Sequence, residues 1–376
     1  MRSTPVTHPD TPPVERPTSA PGQDGSPARP VATSTATATG AEAPPVWRGL
    51  LDPESLLAVD FLAEVLPQPL HTLGLEAVRR FAAPQPPPRR TQVASVTEED
   101  ATWTDPVGVV HSVPVRIYRP PVPRTGTGTG TGTAGLPCLL YLHGGGFTVG
   151  TLDGVDEVCR LFSHHAECVV VSVDYRLAPE HPFPAAVDDT RTAHSWLVEN
   201  ADRLGIDGRR IAVGGDSAGG GLAATLCLDL RGRGLPQPAL QVLVYPAVDD
   251  SFARPSWTEF ADAPLMGAAD AQWFWRQYVG EDGVAPGSLA VPFKAATLAG
   301  LAPAHVITAE VDCLRDDAEA YARRLGAEGV PVRHRRYRGV YHGFFTEISA
   351  FTKATEAVMD ACTSLRGVFT DGALPA

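Results

Sequence analysis

Two different spacings of apolar residues occur along the chain, and the spacing changes near residue 90. In LDPESLLAVDFLAEVL, which begins at Leu51, apolar residues recur at helical spacing, with Asp52 placed to cap the helix and Pro53 in its first turn. GLEAVRRFAA, residues 74–83, predicts a second short helix. The proline-rich stretch PQPPPRR then ends the helical pattern.

From residue 91 onward, short apolar runs predict strands and longer amphipathic stretches predict helices between most of them. The predicted strands are TQVASVTEEDATWT, PVRIYRP, PCLLYLH, CVVVSVDY, RIAVGGD, LQVLVYP, AHVITAE and VRHRRYR. Helical patterns follow the third, fourth, fifth, seventh and eighth of these. Such alternation indicates βαβ units. The sequence therefore predicts an α/β fold, with a mainly parallel sheet covered by helices on both faces.

An insertion interrupts this alternation after the sixth predicted strand. Residues 249–299 contain DAPLMGAADAQWFWRQYVG, in which several large aromatic residues lie close together. We expect this segment and residues 46–90 to form a small helical cap over the C-terminal edge of the sheet. The alternative is a surface helix whose aromatic side chains face the core. Residues 91–248 and 300–376 are then the α/β core.

Two stretches have too few large apolar residues to form a core. Residues 1–45 are rich in Pro, Ser, Thr, Ala and Gly, and we predict a disordered tail because such a segment cannot offset its ordering entropy. The repeat TGTGTGTGTAG, between the second and third predicted strands, is expected to be a solvated loop. We assign no function to either stretch.

Composition restricts the partners and the compartment. The net charge of −12 argues against nucleic acid and against a strongly anionic membrane surface as partners. No apolar run approaches the ~18 residues of a transmembrane helix. The tail lacks the apolar region of a secretory signal, so a cytoplasmic protein is expected. The six cysteines form no C-x-x-C pair and no cluster has metal-ligand spacing, so we expect neither a disulfide framework nor a metal site.

The stretch AVGGDSAGGGLA places many small residues around one hydroxyl group. Gly215, Asp216, Ser217, Ala218 and Gly219 match G-x-S-x-G, after a predicted strand and before a predicted helix. Small residues let the strand and the helix approach closely and permit the strained turn that presents a nucleophilic serine. A flexible loop that happens to contain a serine is the alternative.

A second glycine run, in YLHGGGFTVG, follows the third predicted strand. After His143, the glycines Gly144, Gly145 and Gly146 let two backbone N–H groups point at one spot without side-chain clashes. A developing oxyanion requires such donors, and the N–H group of Ala218 would add a third. The alternatives are a flexible loop and a phosphate cradle, but the lysine of a phosphate loop is absent and an aromatic residue follows.

A base and an acid follow in the last third of the chain. His342 lies in YHGFF, just after the last predicted strand, and Asp312 lies in AEVDCLRDD at the end of the preceding strand. The chain order Ser217, Asp312, His342 is that of a serine hydrolase on an α/β sheet. All three lie past strand C-termini, where open α/β sheets bind ligands. Asp316 and Asp317 are the alternatives for the acid.

These motifs together resemble those of the hormone-sensitive-lipase-like esterases, a bacterial carboxylesterase group with the α/β-hydrolase fold. The resemblance rests on HGGGF, DYRLAPE, GDSAGG, the strand-end aspartate and HGF, and it extends from Leu51 to Phe369. It implies an α/β-hydrolase fold with a helical cap. The segment DYRLAPEHPFPAA is expected to support the site, with Arg176 in contact with a carboxylate.

The resemblance also implies the roles of individual residues. The catalytic triad that it implies is Ser217, Asp312 and His342. The oxyanion hole that it implies uses the N–H groups of Gly145, Gly146 and Ala218. The motif residues that support them are His143, Gly144, Gly215, Asp216 and Gly219. In these esterases a proline usually follows the acid, whereas Cys313 stands there in this chain.

The function implied is that of a serine carboxylesterase. It would hydrolyse short- to medium-chain carboxylic esters through an acyl-enzyme, without a cofactor, and would bind a small-molecule ester, with a homodimer as a further expectation. An amide or lactone hydrolase and an acyltransferase with the same triad are alternatives, because the fold does not determine the substrate. A non-catalytic ligand-binding module on this scaffold is a third, which the presence of His342 disfavours.

Overall fold

A computed structural model describes residues 45–83, 90–121, 135–281, 283–285 and 287–375. The predicted disordered tail and the TG repeat lie outside the described residues, apart from Pro45 and Gly135.

Within that part of the chain, eight strands form one sheet in the order β1-β2-β4-β3-β5-β6-β7-β8. The strands are Ser95–Thr104 (β1), Val110–Arg119 (β2), Leu136–Leu142 (β3), Val169–Val173 (β4), Ile206–Asp216 (β5), Gln241–Val244 (β6), Ala304–Val311 (β7) and Val332–Tyr341 (β8). β2 is antiparallel to both of its neighbours, and the remaining pairs are parallel. The predicted α/β class with a mainly parallel sheet is confirmed.

The helices connect these strands and flank the sheet. They are Pro53–Val65 (α1), Leu70–Leu73 (α2), Leu75–Phe81 (α3), Asp156–Ala166 (α4), Ala185–Glu199 (α5), Ala201–Leu204 (α6), Ala218–Gly232 (α7), Ser256–Glu259 (α8), Ala268–Val279 (α9), Arg315–Ala327 (α10) and Thr352–Asp371 (α11). Asp52 caps α1 as predicted, since its carboxylate accepts from Ser55 N at 2.8 Å. The four-residue helices were not predicted as separate elements.

The core lies between the sheet and its two helical layers. Every residue of β4 and β6 is buried, as expected for parallel strands covered on both faces. Helices α4 and α11 contact each other on one face, and α5 contacts α7 on the other. All six cysteines are buried and free.

The strand order determines where a site can form. The connection from β3 to β4 runs one way along the sheet, and the chain then returns past β3 to β5 and continues in that direction. Ligands of open α/β sheets bind at the carboxyl ends of the strands beside such a reversal. β3 leads into His143 and the glycine run, and β5 leads into Ser217, so the fold brings both motifs to this reversal.

The N-terminal helices contact the insertion. Helix α2 contacts α9, and both the backbone N–H group and Nδ1 of His71 lie within 2.9 Å of Asp270 Oδ1. Trp47 Nε1 donates to Asp262 Oδ1 at 3.0 Å. The division into core and cap stays a prediction. No helix among the described residues is long and apolar enough to cross a membrane.

Candidate active site

The turn between β5 and α7 has an unusual backbone conformation. Ser217 has φ 54° and ψ −118°, a region that non-glycine residues rarely adopt. A Cβ atom at Gly219 would lie 1.9 Å from the carbonyl oxygen of Leu142, and one at Gly215 would lie 2.5 Å from the carbonyl carbon of Gly219. Only glycine fits at these two positions, which let α7 start directly against the sheet.

Three of the sequence-predicted residues form a continuous hydrogen-bonded line. His342 Nε2 lies 2.9 Å from Ser217 Oγ, and His342 Nδ1 lies 2.8 Å from Asp312 Oδ2. Asp312 is fully buried and Ser217 is 7% exposed. With its proton on Nδ1, the imidazole donates to the carboxylate and leaves Nε2 free to accept the serine proton. The arrangement can activate a hydroxyl group for attack on a carbonyl carbon.

The two alternative acids bind other partners. Asp316 pairs with Arg315 at 2.8 Å and accepts from Ser256 N at 3.0 Å. Asp317 accepts from Trp257 Nε1 at 2.7 Å. The structure therefore brings Asp312, rather than either neighbour, to His342.

In the glycine run, the carbonyl groups of Gly144 and Gly145 form hydrogen bonds with neighbouring residues. Gly144 O lies 2.7 Å from His143 Nδ1, and Gly145 O accepts from Thr148 N at 3.0 Å and from Val149 N at 2.9 Å. A trans peptide points its N–H group opposite to its carbonyl group. The N–H groups of Gly145 and Gly146 therefore point away from these contacts. Among the described residues, neither group donates to a protein acceptor.

Asp216 links the glycine run to the serine turn. Its Oδ1 accepts from Gly144 N at 3.1 Å and from Tyr141 Oη at 2.9 Å. Burial raises the pKa of Asp216 to about 6. Burial also lowers the pKa of His143 to about 4, so its ring is neutral at pH 7, and it stacks on Tyr175 with ring centroids 4.3 Å apart. Both residues therefore contact the glycine run.

A narrow pocket of about 20 Å³ opens beside Ser217. It is lined by Gly146, Phe147, Ser217, Ala247, Met266, Ala271, Phe274, Trp275 and Leu314. Several of these residues belong to α9 or to the loop before it, so part of the predicted aromatic cluster lies at the site. Tyr278 stacks on Phe147 with centroids 3.8 Å apart, whereas Trp273 is not among the lining residues.

Comparison with known proteins identifies the family. The model of an α/β-hydrolase fold family matches residues 139–346, which is more than half of the chain. The chain belongs to this family. Within the family, it is 39% identical over 296 residues to esterase LipI of Mycobacterium tuberculosis, an alignment covering 78% of this chain and 89% of that protein.

Two other family members give the same result. The chain is 41% identical over 259 residues to an ethyl acetate hydrolase of Pseudomonas putida, covering 68% of this chain and 79% of that enzyme. An α/β hydrolase from the metagenome of Lake Arreo, Spain, superposes with a TM-score of 0.75 at 36% identity, over 85% of this chain and 99% of the other. The predicted fold, the resemblance and the enzyme class, carboxylic ester hydrolase, are confirmed at the level of the family.

Sequence reasoning missed Tyr245, which lies beside His342. Its ring centroid lies 4.6 Å from that of His342, and its φ of 33° is unusual for a tyrosine. Tyr245 directly follows β6. Its position just past a strand end is the one sequence feature that could have placed it at this edge of the sheet. The expected carboxylate contact of Arg176 is confirmed, since its guanidinium pairs with Asp189 at 2.7 Å.

The described residues contain no group of three or more His, Cys, Asp or Glu side chains that is placed to hold a metal ion.

Proposed function

We propose that this chain is a serine carboxylesterase that hydrolyses short- to medium-chain carboxylic esters through an acyl-enzyme. The observation that carries the proposal is the line from Ser217 through His342 to Asp312, with contacts of 2.9 and 2.8 Å. The esterases among its relatives support the reaction class.

In the first half-reaction, His342 Nε2 takes the proton of Ser217 as Oγ attacks the ester carbonyl carbon. Asp312 holds the imidazole orientation and stabilises the imidazolium that forms. The oxyanion accepts hydrogen bonds from the N–H groups of Gly145, Gly146 and Ala218. Loss of one such donor typically costs ~3 kcal/mol of transition-state stabilisation.

The tetrahedral intermediate then collapses. His342 gives its proton to the leaving alcohol, and the acyl group stays on Ser217 as an ester. Water enters, His342 removes a proton from it, and the same oxyanion contacts stabilise the second intermediate. The carboxylic acid leaves and Ser217 regains its proton, so the cycle requires no cofactor.

The lining of the pocket supports a neutral substrate. Its walls include Met266, Phe274 and Trp275, and none of its lining residues among those described carries a charge. Phe274 is packed so closely on Gly146 that a Cβ atom there would lie 2.3 Å from the ring. An uncharged lining favours neutral acyl groups. We also propose that residues 46–90 and 249–299 form the cap that determines the acyl-chain length.

Hydrolysis of p-nitrophenyl esters from acetate to palmitate tests the proposal. We expect turnover of the short esters, a steep fall with acyl length, and at least a ~10⁴-fold loss of kcat in Ser217→Ala. Ser163→Ala, which truncates a buried serine of α4, is the control and should keep wild-type turnover. Wild-type kinetics in Ser217→Ala would contradict the proposal. A lack of ester turnover in the wild type would favour amides or lactones.

A further inference from the structure

The insertion contacts the loop that carries Asp312. We name residues 312–317 the acid loop. Ser256, the first residue of α8, is fully buried, and its Oγ donates to the carbonyl oxygen of Cys313 at 2.7 Å. Ser256 Oγ also accepts from Asp316 N at 3.2 Å, and Ser256 N donates to Asp316 Oδ2 at 3.0 Å. One small side chain and its amide thus hold both ends of a four-residue stretch.

Neighbouring residues of α8 extend this contact. Trp257 Nε1 donates to Asp317 Oδ2 at 2.7 Å, and Glu259 pairs with Arg315 at 2.8 Å. The Arg315 side chain is only 10% exposed, so this ion pair is shielded from water on one side. All these contacts join a segment of the insertion to the acid loop, and none of them involves Ser217, His342 or the pocket lining.

The contact restrains the acid through the chain. A bond to the Cys313 carbonyl group fixes the Cys313–Leu314 peptide plane, which also contains the N–H group of Leu314. Inside the loop, Leu314 N donates to Asp312 Oδ1 at 2.8 Å, which leaves Oδ2 directed at His342. A proline at position 313 would restrict φ by its ring, whereas a cysteine does not. The hydrogen bond from Ser256 restrains the Cys313–Leu314 peptide from outside the loop.

We propose that Ser256 is a positioning residue that orients Asp312 toward His342 through the backbone of Cys313. On this basis two helices of the insertion have different roles. Helix α9 lines the pocket, and α8 positions Asp312. The inference rests on the proposed function, because it assigns Ser256 to the orientation of that same triad.

Ser256→Ala tests the proposal, with Ser163→Ala as a matched control. Ser163 is also fully buried, and its Oγ also donates to the carbonyl oxygen of a cysteine, Cys168, at 3.1 Å. Both substitutions remove one hydroxyl group from the core. Loss of structural hydrogen bonds alone should lower the unfolding midpoint in both variants, whereas only Ser256→Ala should change the chemistry.

We expect Ser256→Ala to lower kcat for p-nitrophenyl acetate about tenfold with a smaller change in KM, because a misdirected acid slows the reaction, whereas Leu314 is the one residue of the acid loop that lines the pocket. The far-downfield proton resonance of His342 Nδ1–H, which reports its hydrogen bond to Asp312, should broaden or move upfield. Ser163→Ala should change neither value. Unchanged kcat and an unchanged resonance in Ser256→Ala would overturn the proposal, and so would equal losses in both variants.

Two further outcomes have definite meanings. If wild type hydrolyses no ester, the proposed function fails, but the resonance still tests whether Ser256 orients the Asp312–His342 pair. If Ser256→Ala does not fold, Asp316→Asn replaces it, because this change weakens the bond from Ser256 N without emptying space. About a threefold fall in kcat at constant KM is then expected, and no fall would overturn the proposal.

Discussion

The serine turn and the acid loop hold their side chains by different physical means. At the turn, the backbone does the positioning, since Ser217 has a positive φ and Gly219 packs directly on Leu142 O. No residue of the acid loop has a positive φ. The acid loop is instead held by side chains of the insertion, such as Ser256, 57 residues before Cys313. A Cβ atom added at Gly215 or Gly219 meets backbone atoms, whereas a contact between distant segments can be weakened in steps.

The largest expected effect is at the serine turn. Gly219→Ala should destabilise the protein by at least about 3 kcal/mol and abolish esterase activity, because its Cβ atom would lie 1.9 Å from a backbone oxygen that cannot move aside. Chemical unfolding and ester hydrolysis measure the two effects. Gly232→Ala, in the same helix, is the control, since its Cβ atom would meet nothing within 4 Å. A folded, active Gly219→Ala would show that the backbone there can relax.

The sequence predicted the parts of the molecule that depend on adjacent residues. β-Branched runs such as VVVSV in β4 marked the strands, because a strand buried on both faces is continuously apolar. The G-x-S-x-G stretch and the glycine run could be predicted for the same reason, since each requires small residues at fixed neighbouring positions. Ser217, Asp312 and His342 were chosen from chain order and strand ends, and the structure places them together.

Contacts between distant segments were not predictable in this way. Helix α8 has four residues, too few for a periodic pattern, so nothing in the local sequence marks Ser256 as buried against the acid loop. Asp216 was singled out by its motif, but its bond to Gly144 depends on how β3 and β5 pair. The contacts of Ser256 and Asp216 depend on tertiary packing, for which a single sequence contains no local signal.

An intermediate effect is expected where α3 braces the glycine run. The Arg79 guanidinium donates to Thr148 O and Ala178 O, both at 3.2 Å, and pairs with Glu180 at 2.7 Å. Thr148 in turn binds the carbonyl oxygens of Gly145 and Gly146. Arg79→Met should therefore lower kcat about tenfold, since it loosens the loop that presents the proposed oxyanion donors.

Steady-state kinetics with a short ester measures the effect, and Arg80→Met is its control. Arg80 is the next residue of the same helix, is exposed, and has no side-chain hydrogen bond among the described contacts. Its replacement should leave kcat within twofold of wild type, as expected for a surface change. Equal kinetics in the two variants would mean that the glycine run, like the serine turn, is positioned by its own backbone.

The smallest expected effect tests whether the serine turn is strained. The backbone of residue 217 lies in a region that costs a residue with a Cβ atom about 1–3 kcal/mol. Glycine avoids that cost but loses about 0.5–1 kcal/mol through the greater entropy of its unfolded chain. Ser217→Gly should therefore be more stable than Ser217→Ala by about 1 kcal/mol, although both variants lack the proposed nucleophile. Guanidinium unfolding of the two variants measures the difference directly.

The same pair of substitutions at Ser163 should give the opposite sign. Ser163 lies within α4, where glycine is less favourable than alanine by about 1 kcal/mol. A reversal between the two sites would locate the strain in the backbone of the serine turn, because side-chain loss is identical at both. If Ser217→Gly is instead the less stable variant, the positive φ there carries no cost. The turn would then be held by packing between segments, as the acid loop is.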